Sequence, residues 1–266
     1  SPLFTDSYST AFGTGPRTKI QRRLFTETAY IMPLEMNLLE GEVKQKALIH
    51  LSNVIAGNHY CLNTGFIGTP YLNLVLSQNG CDSIAYKLFQ QTAYPSWLYP
   101  VLQGATTIWE RWNSYTIKNG FGPVGMNSFN HYSYGAVQEW MMEYSAGIQR
   151  DDDHPAYKHF YLQPRVGGRF NYIHASYNSM YGRIGSAWDS NNHNPDIDDA
   201  SKYGYTYTAE VPANTTATLR LEVSGHAKLK IIRGRKGILG RQKNGHGFQF
   251  ELGSGKYQFK VMNERK

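Results

Sequence analysis

The spacing of apolar residues changes near residue 150 and divides the chain into two predicted domains. Before this point, apolar positions recur every three to four residues, as on the buried face of an α-helix. After it, short stretches alternate between apolar and polar positions, as in strands with one face in a core. The sequence therefore predicts an α-then-β, multi-domain fold, with helices over residues 1–150 and an antiparallel β-sandwich, jelly-roll-like, over residues 151–266.

Helical periodicity predicts five helices in the first part, over residues 18–39, 43–57, 69–79, 82–89 and 134–148. Pro33 lies inside the first, so we expect a kink or an early end there. Thr69 and Pro70 suit the N-cap and first position of the third helix, and Asp82 suits the N-cap of the fourth. The last helix has the clearest apolar stripe, which ends at Ile148.

Alternating stretches predict eight strands in the second part, over residues 159–166, 170–177, 182–188, 203–211, 216–223, 229–232, 247–252 and 256–261. The polar segment Gln149–Ala156 connects the two parts and contains three consecutive aspartates, Asp151 to Asp153. Aspartates bind metals, but three in a row point in different directions. We therefore expect a solvated linker here and no metal site.

The net charge of +7 is concentrated in one stretch. Residues 228–243 hold seven basic residues and no acidic one. The simplest interpretation is the solvated face of strands and their turn. The alternative is attraction to an acidic partner, such as a uronate-containing polysaccharide. Nucleic acid is disfavoured because no aromatic residues are interleaved to stack on bases.

Cysteines and hydropathy exclude several classes of protein. Cys61 and Cys81 form neither a disulfide framework nor a metal knuckle, so both are interpreted as small hydrophobic residues. No run of about 18 apolar residues is present, so no membrane span is expected. The first residues, Ser1–Asp6, lack the basic and apolar regions of a signal peptide.

One stretch carries the residue types of a carbohydrate site. Within Gly104–Trp112, Glu110 is flanked by Trp109 and Trp112, and His131 follows in the amide-rich segment Met126–Tyr132. Glycosidases use carboxylates for acid–base steps, aromatic faces for sugar C–H surfaces, and amides or imidazole for hydroxyls. The alternative is a tryptophan-rich packing corner whose glutamate merely pairs with the neighbouring arginine.

Several motifs in the chain resemble those of bacterial α-L-rhamnosidases of glycoside hydrolase family seventy-eight. They are Thr64-Gly-Phe-Ile-Gly-Thr-Pro-Tyr71, Tyr94-Pro-Ser-Trp-Leu-Tyr-Pro100, Gly104-Ala-Thr-Thr-Ile-Trp-Glu-Arg-Trp112, Met126-Asn-Ser-Phe-Asn-His-Tyr132, Tyr157-Lys-His-Phe160 and Gly253-Ser-Gly-Lys-Tyr-Gln-Phe259. The resemblance implies an (α/α)6-barrel catalytic domain followed by a C-terminal β-sandwich. It also implies that terminal α-L-rhamnose is hydrolysed from a glycan or glycoside with inversion. Glycan-degrading relatives are often exported, which favours a periplasmic or extracellular location over the cytoplasm.

The resemblance also implies roles for four residues. Glu110 matches the water-activating general base, and Arg111 beside it is expected to favour the ionised carboxylate. His131 matches a sugar-contacting histidine, whose neutral imidazole can both donate to and accept from hydroxyls. Trp112 and Trp97 are candidates for the apolar platform under the sugar. The alternatives are core packing for the two tryptophans and a capping or packing role for His131. No cofactor is expected.

The chain is shorter than a complete enzyme of this kind. An (α/α)6 barrel needs roughly 350 residues, from about a dozen helices and their loops, so residues 1–150 predict a partial barrel. The family's general acid lies upstream, and no substitute in a comparable setting is found among Asp6, Glu27, Glu35, Glu40 and Glu42. We therefore expect weak or no hydrolysis by the chain alone, and either oligomerisation or a missing N-terminal segment. The alternative function is a non-catalytic carbohydrate-binding or scaffold fragment.

Overall fold

A computed structural model describes residues 26–191, 199–223, 227–244 and 247–262. The chain forms two compact units, Ser1–Ala136 and Val137–Lys266. The first is mainly helical and the second mainly antiparallel sheet, which confirms the predicted fold class. The domain boundary at residue 150 stays a prediction. Over the described ranges, the model has no helix with the length and apolar character needed to cross a membrane.

From residue 26 onward, where the structure describes it, the first unit contains five α-helices and one short hairpin. Their bounds are α1 Glu27–Glu35, α2 Gly41–Gly57, α3 Thr69–Gln78, α4 Asp82–Phe89, α5 Leu98–Leu102, β1 Tyr115–Thr116 and β2 Gly120–Phe121. Helix α1 packs against α2 and α3, and α3 packs against α4. Fully buried aliphatic side chains fill these contacts, among them Ile31, Leu51, Ile55 and Leu72. Burial of these side chains is the main force holding the helices together.

The helix predictions hold with local corrections. Helix α1 ends two residues beyond Pro33, as expected, while residues 18–25 lie outside the described ranges. The predicted caps of α3 and α4 are wrong, because the N-cap positions are Gly68 and Cys81. The Thr69 hydroxyl instead donates a hydrogen bond to the Gly65 carbonyl and forms another with Thr64 Oγ1, both at 2.8 Å. The two cysteines are free; Cys61 is buried and Cys81 half-buried.

The single helix predicted over 134–148 is wrong. A 3-10 turn (Ser133–Ala136) is followed by a short α-helix, α6 (Val137–Trp140), and a π turn (Met141–Ser145). Gly147 then has φ +82° and lies against the 163–164 backbone, where an added Cβ would be 2.2 Å from the Pro164 nitrogen. This left-handed, tightly packed position ends the helix. Ile148 therefore lies in a strand.

The second unit contains two five-stranded sheets. Its strands are β3 Ile148–Arg150, β4 His159–Leu162, β5 Tyr172–Ser179, β6 Gly182–Ser190, β7 Tyr205–Val211, β8 Thr216–Glu222, β9 Lys228–Arg233, β10 Ile238–Asn244, β11 Gly247–Leu252 and β12 Gly255–Met262. The first sheet has the order β10-β11-β8-β4-β3 and the second β5-β6-β7-β12-β9. Pairing is antiparallel except between β4 and β8.

One buried hydrophobic cluster takes residues from both sheets. Phe160 and Phe250 come from the first sheet, and Trp188 and Phe259 come from the second. The rings of Phe250 and Phe259 lie 4.8 Å apart. Buried residues alternate with less buried ones along β7 and in the middle of β12. This is the packing of a sandwich core.

All eight predicted strands are present, and β3 and β10 were missed. The basic stretch 228–243 forms β9, a 3-10 turn at Arg235–Gly237, and β10. Strand β9 is an edge of the second sheet and β10 an edge of the first. The basic side chains of the stretch are exposed. Exposed cations on edge strands disfavour pairing with other chains, which supports the solvated-strand interpretation.

The connector after β3 departs from the prediction of a solvated linker. Asp152 and Asp153 are exposed as expected, but Asp151 is 8% exposed. Asp151 directly follows β3, which pairs with β4. That pairing brings its carboxylate to His159, the first residue of β4.

Candidate active site

The candidate site lies in the first unit, where two loop segments run side by side. The Glu110 N–H donates to the Ser128 carbonyl at 2.9 Å, and the His131 N–H donates to the Ile108 carbonyl at 2.8 Å. The Thr107 hydroxyl adds a bond to the Phe129 carbonyl. These bonds satisfy backbone groups that regular structure does not pair. They place Glu110 and His131 on neighbouring segments.

The Glu110 carboxylate is held at one oxygen and free at the other. Its side chain is 8% exposed, and Oε2 accepts the Ser128 N–H at 2.7 Å. Oε1 makes no hydrogen bond within the described residues. Burial, and then the charge of Glu110, raise the pKa of the nearby Tyr134 hydroxyl. Glu110 is thus an oriented carboxylate with one accepting oxygen left for a ligand.

Arg111 does not pair with Glu110. Among the described residues it forms no salt bridge, and its Nε and Nη2 atoms are buried without hydrogen-bond partners. Gly122 leaves the space for the guanidinium, since a Cβ there would lie 2.8 Å from Nη2. Buried donors without partners are rare because each costs about 1–3 kcal/mol. The packing-corner alternative required an ion pair between Glu110 and Arg111, and these contacts do not include one. The expected stabilisation of the ionised Glu110 carboxylate by a contact with Arg111 is missing for the same reason.

His131 is fixed in ring plane and in tautomer. Its ring stacks on Phe66 at 5.0 Å and on Tyr132 at 5.1 Å, measured between ring centroids. Its Nδ1 accepts the Ser133 N–H at 3.2 Å. In the neutral ring the proton is therefore on Nε2. The sequence suggested that both nitrogens would serve a sugar; here Nε2 remains as a donor.

Trp112 and Trp97 are both anchored by their indole N–H groups. Trp112 donates to the Thr64 carbonyl at 2.8 Å and stacks on Tyr134 with ring centroids 3.8 Å apart. Trp97 donates to the Tyr134 carbonyl at 2.9 Å and is 7% exposed. Its ring meets Trp112 edge-on at 5.9 Å. Their role as a sugar platform stays a prediction, and Trp97 is the more enclosed of the two.

Cavity volume does not by itself locate the site. A cavity of about 30 Å³ lies between the two indoles and Arg111, which is room for about one water molecule. A larger cavity of about 560 Å³ follows the β1–β2 hairpin, and neither Glu110 nor His131 lines it. The candidate site is therefore identified by its side-chain chemistry and not by the volume of a cavity.

Glu27, one of the carboxyl groups considered as proton donors, is fully buried. Burial raises its pKa to about 7, although the Asn63 backbone opposes the rise. Neither oxygen has a well-formed hydrogen bond within the described residues. Glu40 and Glu42 are exposed and Glu35 is half-buried, while Asp6 lies outside the described ranges.

Family models match both parts of the chain. The model of the bacterial alpha-L-rhamnosidase 6 hairpin glycosidase domain matches residues 3–145, and that of the bacterial alpha-L-rhamnosidase C-terminal domain matches residues 147–235. The chain belongs to the bacterial α-L-rhamnosidase family. The resemblance inferred from the motifs is thereby confirmed.

Similar rhamnosidases are known from several organisms. The α-L-rhamnosidase of Streptomyces avermitilis is 35% identical over 236 residues, covering 89% of this chain and 21% of that protein. Its crystal structure with L-rhamnose superimposes with a TM-score of 0.76 and covers 22% of that chain. An α-L-rhamnosidase of Formosa agariphila is 37% identical, over 82% of this chain and 24% of its own. The native Aspergillus terreus enzyme is 30% identical with a TM-score of 0.73, over 89% of this chain and 24% of its own. The chain thus spans about a fifth to a quarter of these rhamnosidases.

Proposed function

We propose that the chain is part of an inverting α-L-rhamnosidase and that Glu110 is its general base. The observation that carries the proposal is the Glu110 carboxylate, fixed at Oε2 by the Ser128 N–H at 2.7 Å. Family membership and the relative solved with L-rhamnose support the substrate class, a terminal α-L-rhamnosyl residue of a glycan or glycoside.

The base step follows from this geometry. An ionised carboxylate with one oxygen held by a backbone N–H cannot rotate freely, so its other oxygen has a defined direction. A water bound at Oε1 loses a proton to it while attacking the anomeric carbon. Inversion places the general acid across the sugar, with its carboxyl group about 6.5–9.5 Å from the base, so that this water fits.

Among the described residues, none of the carboxyl groups considered is suited to be the general acid of the proposed reaction. Burial raises the pKa of Glu27 to about 7, so this carboxyl keeps part of its proton near neutral pH, as a general acid must. Its side chain is fully buried among the described residues, however, and is not exposed to a bound glycoside. Glu40 and Glu42 are exposed at the start of α2.

Two further side chains are proposed to bind the sugar. The His131 Nε2–H is available as a donor because Nδ1 already accepts the Ser133 N–H. Arg111, whose Nε and Nη2 atoms lack hydrogen-bond partners, lines the small cavity beside Trp112 and is proposed to bind a sugar oxygen from that cavity. The Trp112 indole is stacked on Tyr134.

The test uses the full-length protein that contains this chain. An aryl α-L-rhamnoside is hydrolysed while NMR follows the first anomer released. The proposal expects turnover with β-L-rhamnose formed first. Release of the α-anomer first would contradict inversion, and absence of turnover on α-L-rhamnosides would contradict the substrate class.

A further inference from the structure

A cluster of three metal-ligand side chains lies in the second unit, apart from the candidate active site. Asp151 Oδ2 is 2.8 Å from His154 Nδ1 and 2.6 Å from His159 Nδ1. One potential ligand atom from each of the three residues lies within 4.8 Å of the others. Across the described ranges this is the one group of three or more His, Cys, Asp or Glu residues with such spacing.

The two inner side chains are already oriented by outer hydrogen bonds. Asp151 Oδ1 accepts the Asp153 N–H at 3.1 Å, so Oδ2 is the oxygen that faces the histidines. The Thr218 hydroxyl donates to Glu251 Oε2 at 2.7 Å. Its oxygen must therefore accept the Nε2–H of His159, 3.0 Å away.

This arrangement is the one that metal-binding histidines use. A ligating histidine donates its second ring N–H to a carboxylate or other acceptor, which fixes its tautomer and ring orientation. For His159, Nε2–H points to Thr218 and on to Glu251, and Nδ1 points into the cluster. Nδ1 either donates to Asp151 or, without its proton, binds an ion beside it.

The cluster is both preformed and accessible. The side chains of Asp151 and His159 are 8% and 16% exposed, and that of His154 is 56% exposed. Asp151 and His159 are thus held in place by the fold, and the exposed His154 leaves the cluster open to an ion from solvent.

We propose that Asp151, His154 and His159 bind one divalent transition-metal ion, with zinc as the best fit. Two imidazole nitrogens and one carboxylate oxygen suit Zn²⁺, whereas Ca²⁺ and Mg²⁺ require mainly oxygen ligands. Tetrahedral ligands at about 2.0–2.1 Å from Zn²⁺ stand about 3.3 Å apart, so the Asp151–His154 and Asp151–His159 distances of 2.8 and 2.6 Å lengthen by roughly half an ångström or slightly more on binding. A water molecule completes the coordination.

The proposed ion closes the connector between β3 and β4. Asp151 follows β3, His154 lies within the connector and His159 begins β4. An ion bound to all three joins this exposed segment to the first sheet through Thr218 on β8 and Glu251 on β11. Because the ion binds the folded chain, it stabilises the second unit by mass action.

The experiment treats the full chain with a chelator, removes the chelator, and titrates the chain with Co²⁺ and then Zn²⁺. We expect one equivalent of Co²⁺ to give visible absorption bands as intense as those of four-coordinate Co²⁺ sites. Zn²⁺ is expected to displace the Co²⁺ and to raise the melting temperature of the chain. His154→Gln removes one ligand at an exposed position and is expected to weaken Zn²⁺ binding at least about tenfold.

The matched control is His174→Gln. His174 is also 56% exposed and pairs with a carboxylate, Asp189, at 2.9 Å, but belongs to no group of three. Its replacement is expected to leave Zn²⁺ affinity unchanged. Equal affinity in wild type and His154→Gln, an equal loss in both variants, or no four-coordinate Co²⁺ spectrum would overturn the proposal.

A second measurement does not depend on the variants folding. Imidazole ¹⁵N spectra of the wild-type chain are expected to show Zn²⁺-induced shifts at Nδ1 of His154 and His159, with the His174 nitrogens unmoved. Unshifted signals of His154 and His159 at saturating Zn²⁺ would rule the site out.

Discussion

Glu110 and Ser128 are joined by two backbone-anchored hydrogen bonds in opposite directions. The Glu110 N–H donates to the Ser128 carbonyl at 2.9 Å, and the Ser128 N–H donates to Glu110 Oε2 at 2.7 Å. The carboxylate is therefore positioned by the same contact that holds the two loop segments together. Any change at Glu110 that keeps an accepting oxygen leaves this contact intact, which makes the residue unusually suitable for a mechanistic test.

Arg111→Met is expected to separate stability from activity. The Arg111 Nε and Nη2 atoms are buried without partners, so an apolar side chain of similar length should raise the free energy of unfolding by about 1 kcal/mol. If the guanidinium binds the sugar, the KM for a rhamnoside should rise in the same variant. Denaturant unfolding and kinetics of the full-length protein measure both. An unchanged KM would refute the sugar-binding role, and a loss of stability would contradict the lack of partners. Arg183→Met, at an exposed arginine, is the control.

His131→Asn is expected to weaken rhamnoside binding without disturbing the loop. The asparagine carbonyl can replace Nδ1 as the acceptor for the Ser133 N–H, but no donor remains at the Nε2 position. Loss of one hydrogen bond to substrate corresponds to about a tenfold to hundredfold fall in kcat/KM. Steady-state kinetics on an aryl α-L-rhamnoside give this number. Unchanged kcat/KM would return His131 to the packing role considered from the sequence.

Glu27 is expected to make stability fall with rising pH. Burial raises its pKa from 4.5 to about 7 in the folded state, so between these values the folded chain keeps a proton that the unfolded chain has lost. The contribution is fully present below pH 4.5 and is lost as pH rises to about 7, with a slope of up to about 1.4 kcal/mol per pH unit. Glu27→Gln should flatten this slope in denaturant unfolding, and Glu40→Gln should not. A parallel slope in wild type and Glu27→Gln would show that the carboxyl is not protonated.

The basic stretch offers a test of the acidic-partner hypothesis. Arg233, Arg235 and Lys236 are exposed at the turn between β9 and β10. Replacing all three by Ser should weaken binding to a polyuronate at low salt, because the attraction is electrostatic and screened by ions. The control replaces Lys46, Lys87 and Lys118 by Ser, which removes the same charge from exposed positions of the first unit. Equal affinities for both triple variants would leave only the solvated-strand interpretation.

Local patterns predicted most elements, while tertiary packing set their ends. The periodicity over 43–57 gave α2 because its buried face is a simple stripe. The apolar stripe ending at Ile148 gave a wrong helix prediction over 134–148. The helix ends earlier because Gly147 packs against Pro164, a contact between residues distant in sequence. Strand β10 was missed because Gly240 and Lys243 interrupt its alternation, and its pairing with β11 decides its conformation.

Residues that lie in one motif could be singled out from the sequence, whereas contacts that depend on pairing could not. Glu110 and His131 were singled out by their aromatic, amide-rich surroundings, and their roles stay a proposal. The support from Ser128 depends on the pairing of two loops. The Asp151 cluster was not predicted because neither histidine is adjacent to Asp151 in sequence. His159 reaches Asp151 only through the pairing of β3 with β4.

The central claim is that Glu110 deprotonates the attacking water, and Glu110→Gln in the full-length protein tests it most directly. The amide oxygen can still accept the Ser128 N–H, so the loops and sugar binding should be retained. The account predicts a fall in kcat of about 10²–10⁴-fold on an aryl α-L-rhamnoside, with rhamnose affinity unchanged by calorimetry. Glu139→Gln, at an exposed glutamate, should turn over normally. Wild-type kcat in Glu110→Gln would contradict the account.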